Sequence, residues 1–384
     1  MNSRPPLHDP QILPTDLPVP RDDGACLHLL RMRPPSICLP ATDGRSINLA
    51  DLRSVTASGE GKESHHAAGT VLFFYPRTGL PGQPPSLGFQ NETWESIPGA
   101  RGCTPQSCGF RDLYAEFAAL SINVFGVSTN TTDHQRTFQQ RNHIPYEFLS
   151  DHELALTRTL CLPTFEFPVE TGGPTTLLKR MAWFIQHEHT GGTELISRII
   201  KVWYPVFPPD QNAAVVLAWV KRRAAVSIRQ RTHDDLDFLR AQLTHHWGGT
   251  QIWSLGQAFD AERISSFIAH VGTERVGLIT YAIAPGGYQC EVVTLASSRL
   301  NTGAATLLLE AVEREARRAG CTKLFLTTTN DNADAIRFYQ TRGWRLAALH
   351  KGNVDEARKR KPHIPLIGNH GIAVRDELEL ELWL

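Results

Sequence analysis

Two cysteines, Cys103 and Cys108, stand in the run Gly102-Cys103-Thr104-Pro105-Gln106-Ser107-Cys108-Gly109-Phe110-Arg111-Asp112. Sulfur reacts as the thiolate, and a cysteine at a helix start has the helix dipole and free backbone N–H groups to favour that form. Attack of Cys103 on a peroxide leaves a sulfenic acid, which condenses with a nearby thiol. Cys108 follows about one and a half helical turns later, with Cα atoms about 8–9 Å apart while both stay helical. A disulfide needs less than about 7 Å. The pair therefore predicts a folded reduced form and an oxidised form in which the start of the helix has unwound. The same spacing occurs in half of a zinc site, but no second Cys or His pair at ligand spacing accompanies it.

A second place for chemistry is Thr302-Gly303-Ala304-Ala305, at the head of an amphipathic helix. Small residues at a helix N-terminus let an anionic group approach the free N–H donors.

Elements must position both. Val71-Leu72-Phe73-Phe74-Tyr75, closed by Pro76, reads as a buried strand. Residues 77–102, dense in Gly and Pro, read as mostly loop. Thr104–Leu120 reads as one helix with its stripe on Phe110, Leu113, Tyr114 and Phe117, and Pro105 in the first turn. A strand at Val124–Val127, a helix over Asp133–Asn142, strands at Ala182–Ile185 and Ile196–Trp203 and a helix over Asn212–Arg223 complete an α/β layer. A second pattern begins near Val226 with a helix at Asp234–Leu243. Strands follow at Val276–Ile283 and Cys290–Leu295, then a helix over Ala304–Ala319 with its stripe on Leu308, Val312 and Ala316. Strand Leu324–Thr327, helix Asp331–Arg342, strand Trp344–Leu349 and a final strand at Leu378–Leu384 close the chain. The basic run Asp355–Lys361 reads as a solvated surface helix.

Lys plus Arg number 39, as do Asp plus Glu, so bulk charge favours neither nucleic acid nor an anionic membrane as partner. No apolar run is long enough for a membrane span. Met1–Asp22 has no apolar core of the secretory kind. The seven cysteines are scattered rather than arranged as a disulfide framework. A cytoplasmic enzyme, monomer or homodimer, is expected, and the sequons at Asn91 and Asn130 carry no meaning there.

The first half resembles the peroxiredoxins, and within them the bacterioferritin-comigratory (PrxQ-like) branch. The resemblance rests on Phe73-Phe74-Tyr75-Pro76, the run Gly102–Asp112, Val124-Phe125-Gly126-Val127-Ser128 and Leu149-Ser150-Asp151. It implies a thioredoxin-like fold that reduces hydroperoxides, binds no cofactor and is recycled by thioredoxin or a similar dithiol. It makes Cys103 the peroxidatic and Cys108 the resolving cysteine. It also makes Arg180 the arginine that holds the thiolate and the peroxide oxygen, its cation favouring thiolate over thiol. The family's Pro-x-x-x-Thr/Ser-x-x-Cys is absent. Ser96 and Ala100 occupy its positions before Cys103, and Arg77–Ile97 looks inserted. Thr78 or Thr104 would have to supply the peroxide-binding hydroxyl. Cys26, Cys38 and Cys161 are expected to be inert, partly buried thiols.

The second half resembles the GNAT N-acetyltransferases, through Asn332-Ala333-Asp334-Ala335-Ile336-Arg337-Phe338-Tyr339 and Gly343-Trp344. The resemblance implies a mixed-sheet α/β domain in which Asn301, Thr302, Gly303, Ala304 and Ala305 cradle the pyrophosphate of acetyl-CoA. Asn332 would contact the pantetheine arm, and Tyr339 would protonate the departing thiolate. At the first position of the family's Gln/Arg-x-x-Gly-x-Gly/Ala stands Leu300, so Arg299 would have to replace that contact. Glu291 is the candidate base toward an unidentified amine acceptor, acting through water, with His246 and Glu377 as alternatives.

The expected organisation is a Pro-rich lead-in over residues 1–36, partly packed on a peroxiredoxin domain of residues 37–224, then a GNAT domain of residues 226–384. The expected function is bifunctional: hydroperoxide reduction and acetyl transfer. The alternative is a redox sensor carrying an acyl-CoA-binding module without transferase activity.

Overall fold

The computed structural model describes residues 13–52, 67–79, 92–167, 175–189, 195–299, 302–362 and 364–384. The chain divides into two compact units, Met1–Trp219 and Val220–Leu384. Among the described residues no helix is long and apolar enough to cross a membrane.

The first unit runs β1 (Cys38–Pro40), β2 (Ser46–Asn48), β3 (Gly69–Phe74), α1 (Glu92–Ser96), α2 (Cys103–Asp112), α3 (Tyr114–Ala119), β4 (Ile122–Ser128), α4 (Thr132–Arg141), β5 (Phe148–Ser150), α5 (Ala155–Thr159), β6 (Thr164–Glu166), β7 (Thr176–Leu178), β8 (Met181–His189), β9 (Leu195–Trp203) and α6 (Asn212–Ala224), the last reaching into the second unit. Five strands form the central sheet in the order β5-β4-β3-β8-β9. β3, β4 and β5 are parallel, and β8 and β9 antiparallel. Every residue of β3 and β4 is buried, which is why both read as unbroken apolar runs rather than alternating ones.

Two expectations change here. The helix read over Thr104–Leu120 is broken at Leu113, whose φ of −102° and ψ of 6° end α2. Phe110 and Phe117 both lie in the core, with ring centroids 5.8 Å apart, and Tyr114 faces Tyr146 at 5.9 Å. Within the stretch read as loop, α1 forms, anchored by Trp94 packing edge-on against Phe167 at 5.0 Å. Residues 80–91 of that stretch lie outside the described residues.

The second unit continues with β10 (Val226–Gln230), α7 (Leu236–Trp247), β11 (Gln251–Ser254), β12 (Gln257–Asp260), β13 (Ser265–Val271), β14 (Glu274–Ile283), β15 (Gln289–Ser297), α8 (Ala304–Arg318), β16 (Lys323–Thr329), α9 (Ala333–Gln340), β17 (Arg345–His350), α10 (Asn353–Arg360) and β18 (Glu377–Trp383). Its seven-stranded sheet has the order β10-β13-β14-β15-β16-β18-β17. Leu308, Val312 and Ala316 of α8 are fully buried against one face, as their spacing predicts. α7 and the β11–β12 hairpin cover the other face through Leu239, Leu243, Ile252 and Phe259.

One feature of this sheet matters for function. β15 and β16 are parallel and pair only at Gln289–Lys323, Cys290–Leu324 and Glu291–Phe325. Beyond Glu291 each strand continues for several residues without pairing to the other, so the sheet parts there. A bulge at Val293 of β15, opposite Thr280 and Tyr281 of β14, bends β15 two residues further on.

α10 is a helix, as read, but its basic residues are not simply solvated. Arg360 stacks on the Trp253 ring at 4.5 Å. Lys361 Nζ donates to the carbonyls of Trp247 (3.5 Å) and Gln251 (2.6 Å). Arg358 donates to the carbonyls of Ile364 and Pro365 (both 3.0 Å) and Val374 (2.7 Å).

Candidate active sites

In the first unit, α2 begins at Cys103 directly after Gly102, whose φ is 106°. A Cβ at 102 would fall 2.3 Å from Pro209 Cγ and 3.0 Å from Leu13 Cδ2, so both backbone angle and packing demand glycine. Cys103 is 6% exposed. Its Sγ accepts a hydrogen bond from Arg180 Nη2 at 3.3 Å and lies 3.8 Å from the Ala100 carbonyl oxygen.

Arg180 is 2% exposed and held on all sides. Nε donates to Gly99 O (3.2 Å), and Nη2 donates to Ala100 O (3.0 Å) and Arg101 O (3.2 Å). Nη1 donates to Gln106 Oε1. Gln106 is steadied in turn by Nε2 donating to Asn212 Oδ1 at 2.9 Å. A cation fixed beside sulfur is charge-complementary to a thiolate and to a second anionic or dipolar oxygen in the same place. Cys108, one and a half turns on, is buried, and burial pushes its thiol pKa up.

Thr78 is buried, with its hydroxyl 3.1 Å from His134 Nε2 and its N–H donating to Asn130 Oδ1 at 3.1 Å. Burial and the Arg77 charge lower the His134 pKa to about 4, so this imidazole is neutral at pH 7. Thr104 is 9% exposed in the first turn of α2, and Ala100 contributes its carbonyl rather than a side chain. Tyr75 adds a phenol that is fully buried, raised in pKa first by burial and also by the charge of Cys103 nearby. Sequence reasoning missed Tyr75, Gln106 and Asn212. The first two lie within the quoted motifs, but Asn212 has no local signal.

A cavity of about 360 Å³ reaches Arg180. Val19, Pro20, Ile97, Phe165 and Val206 give it largely apolar walls, and two of these belong to the lead-in. Of the remaining cysteines in this unit, Cys26 is buried and its pKa is pushed up to about 12. Cys38 and Cys161 are exposed rather than partly buried.

In the second unit, Gly303 caps α8 with φ 84°, and a Cβ there would meet nothing within 4 Å. Thr302 Oγ1 donates to Arg299 O at 3.1 Å and accepts from Ala304 N at 3.3 Å. Ala304 is buried and Ala305 half-buried. Asn301 and Leu300 lie outside the described residues. Arg299 is engaged by Glu274 at 3.4 Å. Arg342, which sequence reasoning overlooked, donates from Nε to Thr306 Oγ1 at 2.9 Å and lies over the Phe338 ring at 3.7 Å. It places a guanidinium at the first turn of α8.

Asn332 caps α9, its Oδ1 accepting from Ala335 N at 3.2 Å. Tyr339 is 8% exposed between Phe338 and Trp344. Burial raises its pKa, so it keeps its proton at neutral pH. Glu291 is also 8% exposed, and its Oε1 has no hydrogen-bond partner. Burial raises its pKa, opposed by the Ser254 hydroxyl and reinforced by Glu377 and Glu379. Cys290 and Val292 lie in the core cluster that includes Tyr339, so by strand alternation Glu291 is on the other face of the sheet. That face also carries Ser254, whose Oγ is 3.0 Å from Thr327 Oγ1. Glu377 accepts from Asn353 Nδ2 at 3.1 Å. His246 is exposed on α7 between His245 and Trp247.

Comparison with known proteins divides the chain in the same way. The AhpC/TSA family profile matches residues 96–190, and the acetyltransferase (GNAT) family profile matches residues 230–344. YdhI of Bacillus subtilis (strain 168), an uncharacterised protein, is 40% identical over 134 residues, which is 35% of this chain and 82% of YdhI. YxbD of the same organism, also uncharacterised, is 37% identical over 145 residues, covering 38% of this chain and 90% of YxbD. Peroxiredoxin bcp1 of Schizosaccharomyces pombe is 33% identical over 126 residues, covering 33% of this chain and 48% of that protein. The chain thus spans about half the length of this peroxiredoxin relative.

Proposed function

Because this chain joins an AhpC/TSA-family domain to a domain that belongs to the GNAT acetyltransferase family, both families of enzymes, we propose that it is bifunctional. The first unit reduces hydroperoxides, and the second transfers acetyl from acetyl-CoA to an amine. The observation that carries the first activity is the buried contact between Arg180 Nη2 and Cys103 Sγ at 3.3 Å.

The Cys103 thiolate attacks the peroxide oxygen and the O–O bond breaks. The alcohol or water leaves with a proton, and Cys103 becomes a sulfenic acid. Arg180 holds the sulfur and the developing negative oxygen together. The start of α2 then unwinds, Cys108 attacks the sulfenic sulfur, and water leaves as the disulfide forms. A thioredoxin-like dithiol returns both thiols.

The residues of the second unit fit acetyl-CoA: an open helix start at Gly303, a guanidinium at Arg342, and a carboxylate oxygen without a partner at the parting of β15 and β16. When bound, acetyl-CoA supplies an activated thioester. Thr302–Ala305 and Arg342 bind its phosphates. Asn332 orients the pantetheine arm through its amide nitrogen, since its oxygen caps α9. Glu291 accepts the acceptor's proton through water, its burial keeping the carboxylate basic. Tyr339, protonated at neutral pH, gives its proton to the departing sulfur.

The test uses the full chain. Hydroperoxide consumption with a thioredoxin system should vanish in Cys103→Ser. Acetyl-CoA should stabilise the protein thermally and be turned over on an amine library, more slowly in Tyr339→Phe. A chain that forms the Cys103–Cys108 disulfide without turning over peroxide, and binds acetyl-CoA without acetylating any amine, would be a sensor carrying a binding module.

A further inference from the structure

The acceptor face of the second unit has a charge pattern of its own. Glu291 is the last residue of β15 to pair with β16, so its carboxylate stands where the strands part. It is more than nine-tenths buried, and Oε1 has no partner. On the same face, β18 presents Glu377 opposite Thr329 and Glu379 opposite Thr327. Alternate residues of a strand lie about 6.8 Å apart.

Glu381, the next on that face, is matched by Lys323 at 3.1 Å. Among the described residues, none of Glu291, Glu377 and Glu379 has a lysine or arginine partner. Among the described residues Glu379 meets His350, at 3.1 Å, and Glu377 the amide of Asn353. The unmatched negative charge is therefore confined to the end of the sheet that opens.

A buried carboxylate oxygen left without a partner is costly, and a donor arriving with the substrate removes the cost. An anionic acceptor would be repelled by three carboxylates. A neutral one would leave two of them unused. Resting on the acetyl-transfer reading, we propose that the acceptor is a small aliphatic amine carrying at least two cationic nitrogens a few methylenes apart. One nitrogen reacts beside Glu291 while another stays charged against Glu377 and Glu379. The reacting nitrogen sheds its ammonium proton to solvent before it attacks, and as the C–N bond forms it gives a second proton through water to Glu291. As the C–S bond breaks, the sulfur takes the proton of Tyr339.

The experiment compares diaminobutane, butylamine and aminobutyrate as acceptors for the full chain, with product measured by mass spectrometry at low and high salt. The three share an amine on a short alkyl chain and end in a cationic, an uncharged and an anionic group respectively. Diaminobutane should exceed butylamine in kcat/KM by about tenfold, the worth of one partly screened ion pair, and aminobutyrate by more. Salt should compress the order. Glu379→Gln and Glu377→Gln should each bring the diamine-to-monoamine ratio toward one, with calorimetric acetyl-CoA binding reporting that the fold is kept. Butylamine or aminobutyrate turning over as fast as the diamine would overturn the charge selection and leave acetyl transfer standing. Acetyl-CoA binding with no amine acetylated would sink the transferase reading and this inference with it.

Discussion

α2 and α8 start in the same way and serve different ends. Each follows a glycine in the left-handed region, Gly102 at φ 106° and Gly303 at φ 84°. Each offers free N–H groups and the positive end of a helix dipole. Around α2 the space is filled: Pro209 and Leu13 close on Gly102, and Arg180 is tied to three backbone carbonyls and Gln106. Around α8 it is open: among the described residues a Cβ at Gly303 would meet nothing within 4 Å, and the guanidinium of Arg342 stands at the edge. A closed start suits a reaction on a substrate of a few atoms, where placing charge matters most. An open start suits docking a large phosphate-bearing molecule. The local chain geometry is shared, and the difference lies in what the rest of the fold brings to it.

The largest effects should come from the closed site. Cys103→Ser should reduce peroxide turnover to background. Arg180→Met should cost about 10²–10³-fold in kcat/KM, as removal of a preorganised donor does. Gln106→Leu, which leaves the arginine present but unsteadied, should cost less. Stopped-flow peroxide consumption measures all three. Equal losses in Arg180→Met and Gln106→Leu would mean that Gln106 does more than hold Arg180. Hydrogen exchange adds a second check, because residues 103–108 should lose protection on oxidation. Equal protection in both forms would rule out the unwinding of α2.

What the sequence revealed follows the same division. Cys103, Cys108, Thr302–Ala305, Asn332 and Tyr339 are legible because their signals are local: a spacing, a glycine before a helix, a cap. The two α/β patterns are legible because β3, β4 and α8 bury their apolar residues with the expected periods. The support of Arg180 is not, since Gln106 and Asn212 meet across more than a hundred residues of chain. Nor is the break at Leu113, which falls inside a stretch with helical periodicity. The parting of β15 and β16 also has no local mark, because register between two strands is a property of the pair. Glu291 could be named from sequence, but its burial and unpartnered oxygen could not.

In the open site, Glu291 sharpens the comparison through pH. Its pKa is raised by burial, and a carboxyl can act as a base only when ionised. Acetyl transfer should therefore rise with pH through that raised pKa, with the acid limb above the ordinary glutamate value of about 4.3. Glu291→Gln should abolish that limb and cost about 10²–10⁴-fold in kcat. The stability sign runs the other way. A carboxyl whose folded pKa is raised stabilises the fold while protonated, and this is lost as pH rises through the folded pKa. At pH 7 Glu291→Gln should thus unfold at a higher temperature than the native chain while losing activity. A variant that loses both would make Glu291 a structural residue.

The two glycines test the comparison directly. In Gly303→Ala the only penalty is the left-handed backbone angle, because the added methyl meets nothing. A stability loss of about 1–2 kcal/mol follows from that angle alone. In Gly102→Ala the same penalty is joined by a clash with the Pro209 ring and the Leu13 side chain. Overpacking of this kind adds about 1–3 kcal/mol. Gly102→Ala should therefore be the more damaging of the two in chemical denaturation. It should also slow peroxide reduction, since relieving the clash shifts the backbone that leads into Cys103. Gly303→Ala should instead weaken acetyl-CoA binding, because its methyl occupies the approach to the α8 N–H groups. Its effect on transfer should appear mainly in KM for acetyl-CoA and little in kcat. Equal destabilisation by the two substitutions would show that the angle dominates and that the closed packing around Gly102 contributes nothing, leaving the two helix starts equivalent.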